Sequence, residues 1–155
     1  VDDGTQIRLA GEGNQGLAGG PAGNLYVALS VQPHAVFQRH DNDIIMELPI
    51  NIAQAALGAE IEVPTLDGVE TLAVPPGTQH GKILRLKNKG VPHLRRSERR
   101  GDQLIAIKVA VPVHLTAKQK KLLEELGETL GTPKLGDERG FFDKLAGAFS
   151  DAFSN

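Results

Sequence analysis

The segment EIEVPTLDGVETL, residues 60–72, carries the pattern that decides the fold. Apolar and polar side chains largely alternate on both sides of Asp67-Gly68, which is typical of short strands with one buried face. Glycine accepts the positive φ angle that a tight turn needs, so Asp67-Gly68 predicts the turn of a β-hairpin. This segment therefore predicts antiparallel β structure at the centre of the chain.

The same alternation extends over the first three quarters of the chain. It predicts strands at residues 6–9, 25–31, 43–50, 60–64, 69–74, 82–86 and 103–111. Segments rich in Gly and Pro separate these strands. One short helix is predicted at residues 52–57, because Asn51 is a favourable N-cap and Gly58 a favourable stop. We expect a mostly β fold.

The chain also contains an internal repeat. Three pairs of segments match: 1–6 with 74–79 at an offset of 73, 7–9 with 84–86 at 77, and 23–31 with 101–109 at 78. The pattern predicts two copies of one β unit in tandem, and the first copy lacks its opening half, as expected of a fragment. Such a duplication indicates an architecture and not a reaction.

Beyond Pro112 the pattern becomes helical. Thr116 is a suitable N-cap for a helix at residues 117–130, residues 131–140 predict a flexible linker, and residues 141–153 predict a second amphipathic helix. Four of the five Phe residues lie in this last segment. Exposed apolar residues of this kind favour a protein contact. The candidates for dimerisation are Leu122, Leu123, Leu126, Leu130, Phe141, Phe142, Leu145 and Phe149.

Composition and charge exclude several classes. The 155 residues include no Cys, which excludes disulfides and thiol chemistry and fits a reducing, cytoplasmic location. No apolar run approaches the ~18 residues of a membrane span, and the acidic N-terminus is unlike a signal peptide. Residues 82–101 hold eight Lys and Arg against one acid, a charge of +7, whereas the remainder carries −9. The basic loop lacks aromatic residues that would stack on bases, so we expect a solvated loop and no nucleic-acid partner.

Three patterns that resemble chemical sites are weak. Residues 11–16 read G-x-G-x-x-G, but a dinucleotide site needs a helix after the third Gly, and LAGGPAG at 17–23 cannot supply one. The His residues at 34, 40, 80, 93 and 114 lack the spacing of metal ligands. Strand alternation turns most acids, such as Glu47, Glu60, Glu62 and Asp67, outward. We therefore expect no metal site, no bound nucleotide and no catalysis.

Longer motifs resemble the C-terminal region of bacterial DnaJ-type (J-domain) co-chaperones. VDDGTQIRLAGEG at 1–13 with GNLYV at 23–27 resembles the closing half of C-terminal domain I. Residues 48–68 resemble the opening of domain II, and residues 74–102 resemble its close. The Phe-Phe-Asp sequence at 141–143 resembles the end of the bacterial proteins. The resemblance predicts domain boundaries at 1–38, 39–114 and 115–155.

The resemblance implies a fold and a function. The fold is a tandem pair of β-sandwich domains, the first incomplete, with a C-terminal helical element that forms a homodimer. The function is ATP-independent binding of unfolded client polypeptides and their delivery to a DnaK-type ATPase chaperone. The chain has neither a His-Pro-Asp motif nor a Cys-x-x-Cys repeat, so we expect it to bind no cofactor. Zinc is expected only in an upstream module outside the chain, and the zinc-containing and zinc-less classes both stay open.

Client binding needs apolar pockets and a strand edge to which an extended peptide can add. Val27 matches a position that lines a pocket in the family. The neighbouring candidates are Leu25, Leu29, Phe37, Ile7 and Leu9. For each of them, ordinary sandwich core is the alternative interpretation. The alternative function is a scaffold that binds a folded partner through the Phe-rich C-terminal helix.

Overall fold

The computed structural model describes the backbone of residues 1–135 and 141–153, and the side chains of residues 1–135 and 146–152. The elements are β1 (Gln6–Leu9), β2 (Leu25–Ala28), β3 (Gln38–His40), β4 (Asp43–Asn51), α1 (Ile52–Leu57), β5 (Ala59–Thr65), β6 (Gly68–Val74), β7 (Ile83–Leu86), β8 (Gln103–Ala110), α2 (Ala117–Leu130) and α3 (Phe141–Phe153). The mostly β class predicted from the sequence is confirmed.

The strands form three sheets. Strands β1 and β2 form a two-stranded ribbon, β5 and β6 form another, and the order β3-β4-β8-β7 makes a four-stranded sheet. All neighbouring strands are antiparallel except β4 and β8, which run parallel at the centre of the larger sheet. A parallel pair needs a crossover connection, and here the crossover consists of α1, the β5–β6 ribbon and β7.

The core lies between the four-stranded sheet and the β5–β6 ribbon. Alternate residues of the strands point into the core, so the apolar positions of the predicted alternation are the buried ones. Val63 and Ile105 are completely buried. Burying each such side chain contributes roughly 1.5–3 kcal/mol. The buried cluster consists of Met46, Ile50, Ala55, Val63, Leu72, Val74, Ile105 and Ile107. This packing makes residues 38–110 a sandwich with its own core.

Two helices begin at capping boxes. The Asn51 side chain accepts a hydrogen bond from the Gln54 N–H at 2.7 Å, and the Gln54 side-chain oxygen accepts one from the Asn51 N–H. Thr116 and Gln119 form the same pair at the start of α2. A capping box satisfies backbone donors that the first helical turn leaves free. The predicted bounds of both helices are confirmed.

Several predicted boundaries need correction. The strand at residues 25–31 ends at Ala28, and β3 was missed because three residues are too few to show a period. The turn between β5 and β6 is shifted by one residue, since Thr65 pairs with Gly68 and leaves Leu66 and Asp67 between them. The predicted domain boundaries stay predictions, and β3 spans the first of them. Residues 136–140 of the predicted linker lie outside the described residues.

Candidate functional site

Four of the six predicted client-binding residues lie together on the β1–β2 ribbon, and a fifth, Leu29, follows directly after β2. Ile7 is paired with Val27, and Leu9 with Leu25. Residues two apart on a strand point to the same side, so these four side chains share one side of the ribbon, and Leu29 continues it by alternation. We call the surface formed by Ile7, Leu9, Leu25, Val27 and Leu29 the ribbon face.

The repeat predicted from the sequence is a structural repeat. Ile7 opposite Val27 corresponds to Leu84 opposite Ile105, and Leu9 opposite Leu25 corresponds to Leu86 opposite Gln103. Backbone hydrogen bonds recur as well. The N–H of Gly13 donates to the carbonyl of Gly23 and that of Gly90 to Gly101, both at 2.8 Å; the N–H of Leu29 donates to Thr5 and that of Ile107 to Lys82, also at 2.8 Å.

The first matched segment of the repeat needs a different offset. The Gly4 N–H donates to Leu29, and the Gly81 N–H donates to Ile107. Gly4 and Gly81 are thus equivalent, and 81 − 4 gives an offset of 77 in place of the predicted 73. The motif shared at 73 is a local turn, in which the Thr5 and Thr78 hydroxyls each donate to the carbonyl three residues earlier at 2.6 Å. The likeness of these two turns explains why the sequence comparison gave the offset of 73.

The two copies differ in what covers their apolar side chains. In the second copy Ile105 is 0% and Ile107 1% exposed. Their equivalents Val27 and Leu29 are only half-buried, and Ile7, Leu9 and Leu25 beside them are 42%, 41% and 43% exposed. The second copy therefore uses these positions as sandwich core, the alternative that the sequence left open. In the first copy, nothing in the described part of the chain covers the equivalent side chains to the same extent.

The edges of the ribbon are also free of strands. Strand β8 has β7 on one side and β4 on the other, whereas its counterpart β2 pairs only with β1 among the residues that the structure describes. The outer edge of β7, like that of β1, carries no further described strand. Unpaired backbone donors and acceptors at such an edge can accept an added strand. The outer edge of β1 is therefore available to an added strand, and so is the outer edge of its counterpart β7.

Phe37 lies apart from the ribbon face. It packs against the core of the second sandwich, and its ring lies 4.9 Å from that of His34. It also lines a cleft of about 830 Å³ between the base of the ribbon and the second sandwich. Arg39 joins the two regions, because its Nη2 lies 3.0 Å from Asp2 Oδ1 and its Nη1 donates to the Val1 carbonyl. Sequence proximity alone had grouped Phe37 with the ribbon residues.

The candidate dimerisation residues fall into two groups. On α2, Leu122, Leu126 and Leu130 are 54%, 49% and 71% exposed, Leu123 is half-buried, and α2 contains no buried residue. On α3, Phe149 lines a second cleft of about 690 Å³ together with residues of the sandwich in the same chain, and Ala152 is buried. The side chains of Phe141, Phe142 and Leu145 lie outside the described residues.

The three other kinds of feature considered from the sequence are a metal site, a nucleotide-binding loop and a membrane span. Among them, no three His or acidic side chains are grouped to hold a metal ion. The G-x-G-x-x-G loop closes on itself, since Gly23 donates its N–H to the Asn14 carbonyl at 2.9 Å, and a 3-10 turn at Leu17–Gly19 follows it. Within the same residues, every helix is too short or too polar to cross a bilayer.

Comparison with known proteins gives one family. The family described as DnaJ C terminal domain matches residues 1–112. "Chaperone protein DnaJ" of a Roseiflexus species is 53% identical over 150 residues, which are 96% of the chain and 40% of that protein. The proteins of the same name from Acetivibrio thermocellus and Brevibacillus choshinensis are 48% and 51% identical, with 96% of the chain covering 38% and 40% of them. The chain spans about two fifths of the length of these relatives.

Proposed function

The chain belongs to the DnaJ C-terminal domain family, and from this premise we propose that it is the client-binding and dimerising part of a co-chaperone. It captures unfolded polypeptides without nucleotide or metal and delivers them to a DnaK-type ATPase chaperone. It acts in the cytoplasm as a binding protein and not as an enzyme. The family membership and the chaperone names of the relatives support this role.

The observation that carries the proposal is the apolar ribbon face beside a strand edge with no described neighbour. Five aliphatic side chains lie on one side of a two-stranded ribbon, and positions equivalent to Val27 and Leu29 are completely buried in the second copy. An apolar surface of this kind binds apolar side chains of another chain. The open edge of β1 adds backbone hydrogen bonds that do not depend on client sequence. The combination suits unfolded polypeptides, which share a backbone but no sequence.

The strength of a single contact explains why pairing matters. A fully buried aliphatic side chain contributes about 1.5–3 kcal/mol, whereas micromolar affinity corresponds to about 8 kcal/mol after ordering costs are met. Roughly three to five anchoring side chains are therefore needed. The ribbon face offers about that number only if all of them engage, so two linked protomers would raise the apparent affinity through avidity.

We assign the pairing to α2. Its leucines at 122, 126 and 130 recur every four residues and stay about half exposed or more, so they form one apolar stripe on a helix without buried residues. A second copy of the same stripe would cover it. In the described part of α3, Phe149 lies at a cleft of its own chain, which leaves α2 as the better supported dimer contact.

Suppression of aggregation tests client binding. The chain is expected to reduce light scattering by a denatured model protein without nucleotide. Val27→Asp should abolish this effect because it places a charge in the ribbon face. Ala28→Asp is the matched control, since Ala28 points to the opposite side of the same strand, and it should keep the activity. Equal activity of the two variants, with NMR spectra showing an intact ribbon in both, would contradict the proposal.

Sedimentation equilibrium tests the dimer. Leu126→Glu should convert the dimer to a monomer, and Lys121→Glu on the same helix should leave it a dimer. The assignment of the dimer contact to α2 would be wrong if the unaltered chain is a monomer or if the Leu126→Glu variant is still a dimer.

A further inference from the structure

The two loops of the repeat are built alike but carry different charges. Each connects the paired strands of its copy, and each is closed by an equivalent glycine hydrogen bond of 2.8 Å. The first loop, residues 14–22, contains no charged residue. The second, residues 91–100, contains Arg95, Arg96, Arg99 and Arg100 against Glu98 alone. The architecture of the repeat does not require this charge, because the first copy is built without it.

The base of the second loop is held in place. Its strands are joined by the bridge between Pro92 and Arg100, and the His93 N–H donates to the Arg99 carbonyl at 2.8 Å. The Asn42 carbonyl accepts the Val91 N–H at 2.7 Å. Arg100 is committed to this base, since its guanidinium donates to the Gly90 carbonyl and pairs with Asp67. The loop therefore presents its remaining side chains from a fixed platform.

Three arginines of the loop differ from Arg100 in having no acidic partner among the described residues. Arg95, Arg96 and Arg99 are exposed, and none forms an ion pair with an acidic side chain in the described part of the chain. By contrast, Arg85 and Lys89 nearby are paired with Asp102 and Glu70, each at 2.5 Å. Arg95, Arg96 and Arg99 thus lie together as exposed cations without an acidic partner among the described residues.

These arginines line a concavity. A cleft of about 410 Å³ is bounded by His93, Leu94, Arg95, Arg96 and Arg99. Leu94 is 71% exposed and adds an apolar flank. Guanidinium groups bind carboxylates through two parallel hydrogen bonds, which makes such a cluster more selective than a set of lysines.

We propose that this loop, the arginine loop, binds an acidic segment of a partner polypeptide. Carboxylates of that segment pair with Arg95, Arg96 and Arg99, and an intervening apolar side chain rests on Leu94. The site is separate from the ribbon face, and it adds a charge-selective contact to the apolar one. A polypeptide is favoured over nucleic acid because the cleft offers an aliphatic flank and no Phe, Tyr or Trp ring on which a base could stack.

Fluorescence anisotropy with a labelled peptide of Glu and Leu residues tests the proposal on the complete 155-residue chain. We expect saturable binding at low ionic strength that weakens as salt is added, because the contacts are exposed. The variant Arg95→Glu/Arg96→Glu/Arg99→Glu should bind at least about tenfold more weakly, as expected from three exposed ion pairs. Arg95→Lys/Arg96→Lys/Arg99→Lys keeps the charge but loses the two parallel hydrogen bonds of each guanidinium group. Its affinity for the peptide should therefore fall by about threefold, which is half of the tenfold loss on a logarithmic scale.

The matched control reverses the same number of charges elsewhere. Lys118→Glu/Lys120→Glu/Lys121→Glu on α2 should bind the peptide within about twofold of the unaltered chain, as expected if distant exposed charges are screened. Val27→Asp should also bind it normally, so failure of this site and failure of the ribbon face give different results. The proposal is overturned if the two triple Glu variants lose binding equally, if no variant changes it, or if a labelled oligonucleotide binds more tightly than the peptide.

Discussion

The two copies of the repeat show one ribbon in two surroundings. Strands β1 and β2 have the register of β7 and β8, and the same glycines close both loops. Yet Ile105 is fully buried, whereas its equivalent Val27 is only half-buried. The conformation of the ribbon is thus determined locally. Whether its apolar side stabilises the fold or stays available for binding depends on which elements are packed over it.

The largest expected difference in stability between the two copies is at the equivalent positions 105 and 27. Ile105→Ala removes a completely buried side chain and should lower the free energy of unfolding by about 2–5 kcal/mol. Val27→Ala should lower it by less than about 1 kcal/mol, because the site is already partly exposed. Urea denaturation followed by circular dichroism measures both. Similar losses would show that the first ribbon is as deeply packed as the second.

Equivalent glycines provide the next test. A methyl group on Gly101 would overlap the Asn42 carbonyl, whereas one on Gly23 would lie 3.7 Å from the Asn14 carbonyl, an ordinary contact. Gly101→Ala should therefore destabilise the chain by about 1–3 kcal/mol or more. Gly23→Ala should stay within about 0.5 kcal/mol of the unaltered chain. If thermal denaturation finds Gly23→Ala the more damaging of the two, the β3–β4 turn does not contact the second loop as described.

The smallest expected effect concerns one charge. Asp102 accepts a hydrogen bond from the Asn88 N–H at 3.0 Å and pairs with Arg85 at 2.5 Å, while its equivalent Asn24 accepts one from the Gly11 N–H at 3.4 Å. Asp102→Asn keeps the first contact and loses the ion pair. We expect a loss of about 0.5–1 kcal/mol in free energy of unfolding that shrinks at high salt. A loss independent of salt would assign the role of Asp102 to hydrogen bonding alone.

The sequence predicted the parts that local chemistry decides. It predicted both capped helices, the strands with clear alternation and the repeat. Each of these has a signature in residues that are close together in the chain: a capping residue, a period-two pattern or a pair of glycines. The family was identified from motifs, and the match over residues 1–112 confirms it. The sequence also named Ile7, Leu9, Leu25, Val27 and Leu29 as candidates, and the strand register places the first four on one side of the ribbon.

The rest depends on long-range packing. The parallel pairing of β4 with β8 joins residues about sixty positions apart and leaves no local signature. Phe37 was grouped with the ribbon because of its position in the chain, but it packs on the second sandwich. The sequence also does not show which cations of the basic loop pair with an acidic side chain. Arg100 pairs with Asp67, whereas Arg99 forms no ion pair with the residues that the structure describes.

The difference between the two copies is tested most directly by methyl NMR of the labelled chain during addition of an unfolded polypeptide. We predict that the methyl signals of Ile7, Leu9, Leu25, Val27 and Leu29 shift or broaden, while those of the equivalent residues Leu84, Leu86, Ile105 and Ile107 stay unchanged. Perturbation confined to the second group, or an unfolded polypeptide that leaves the first group untouched, would contradict it.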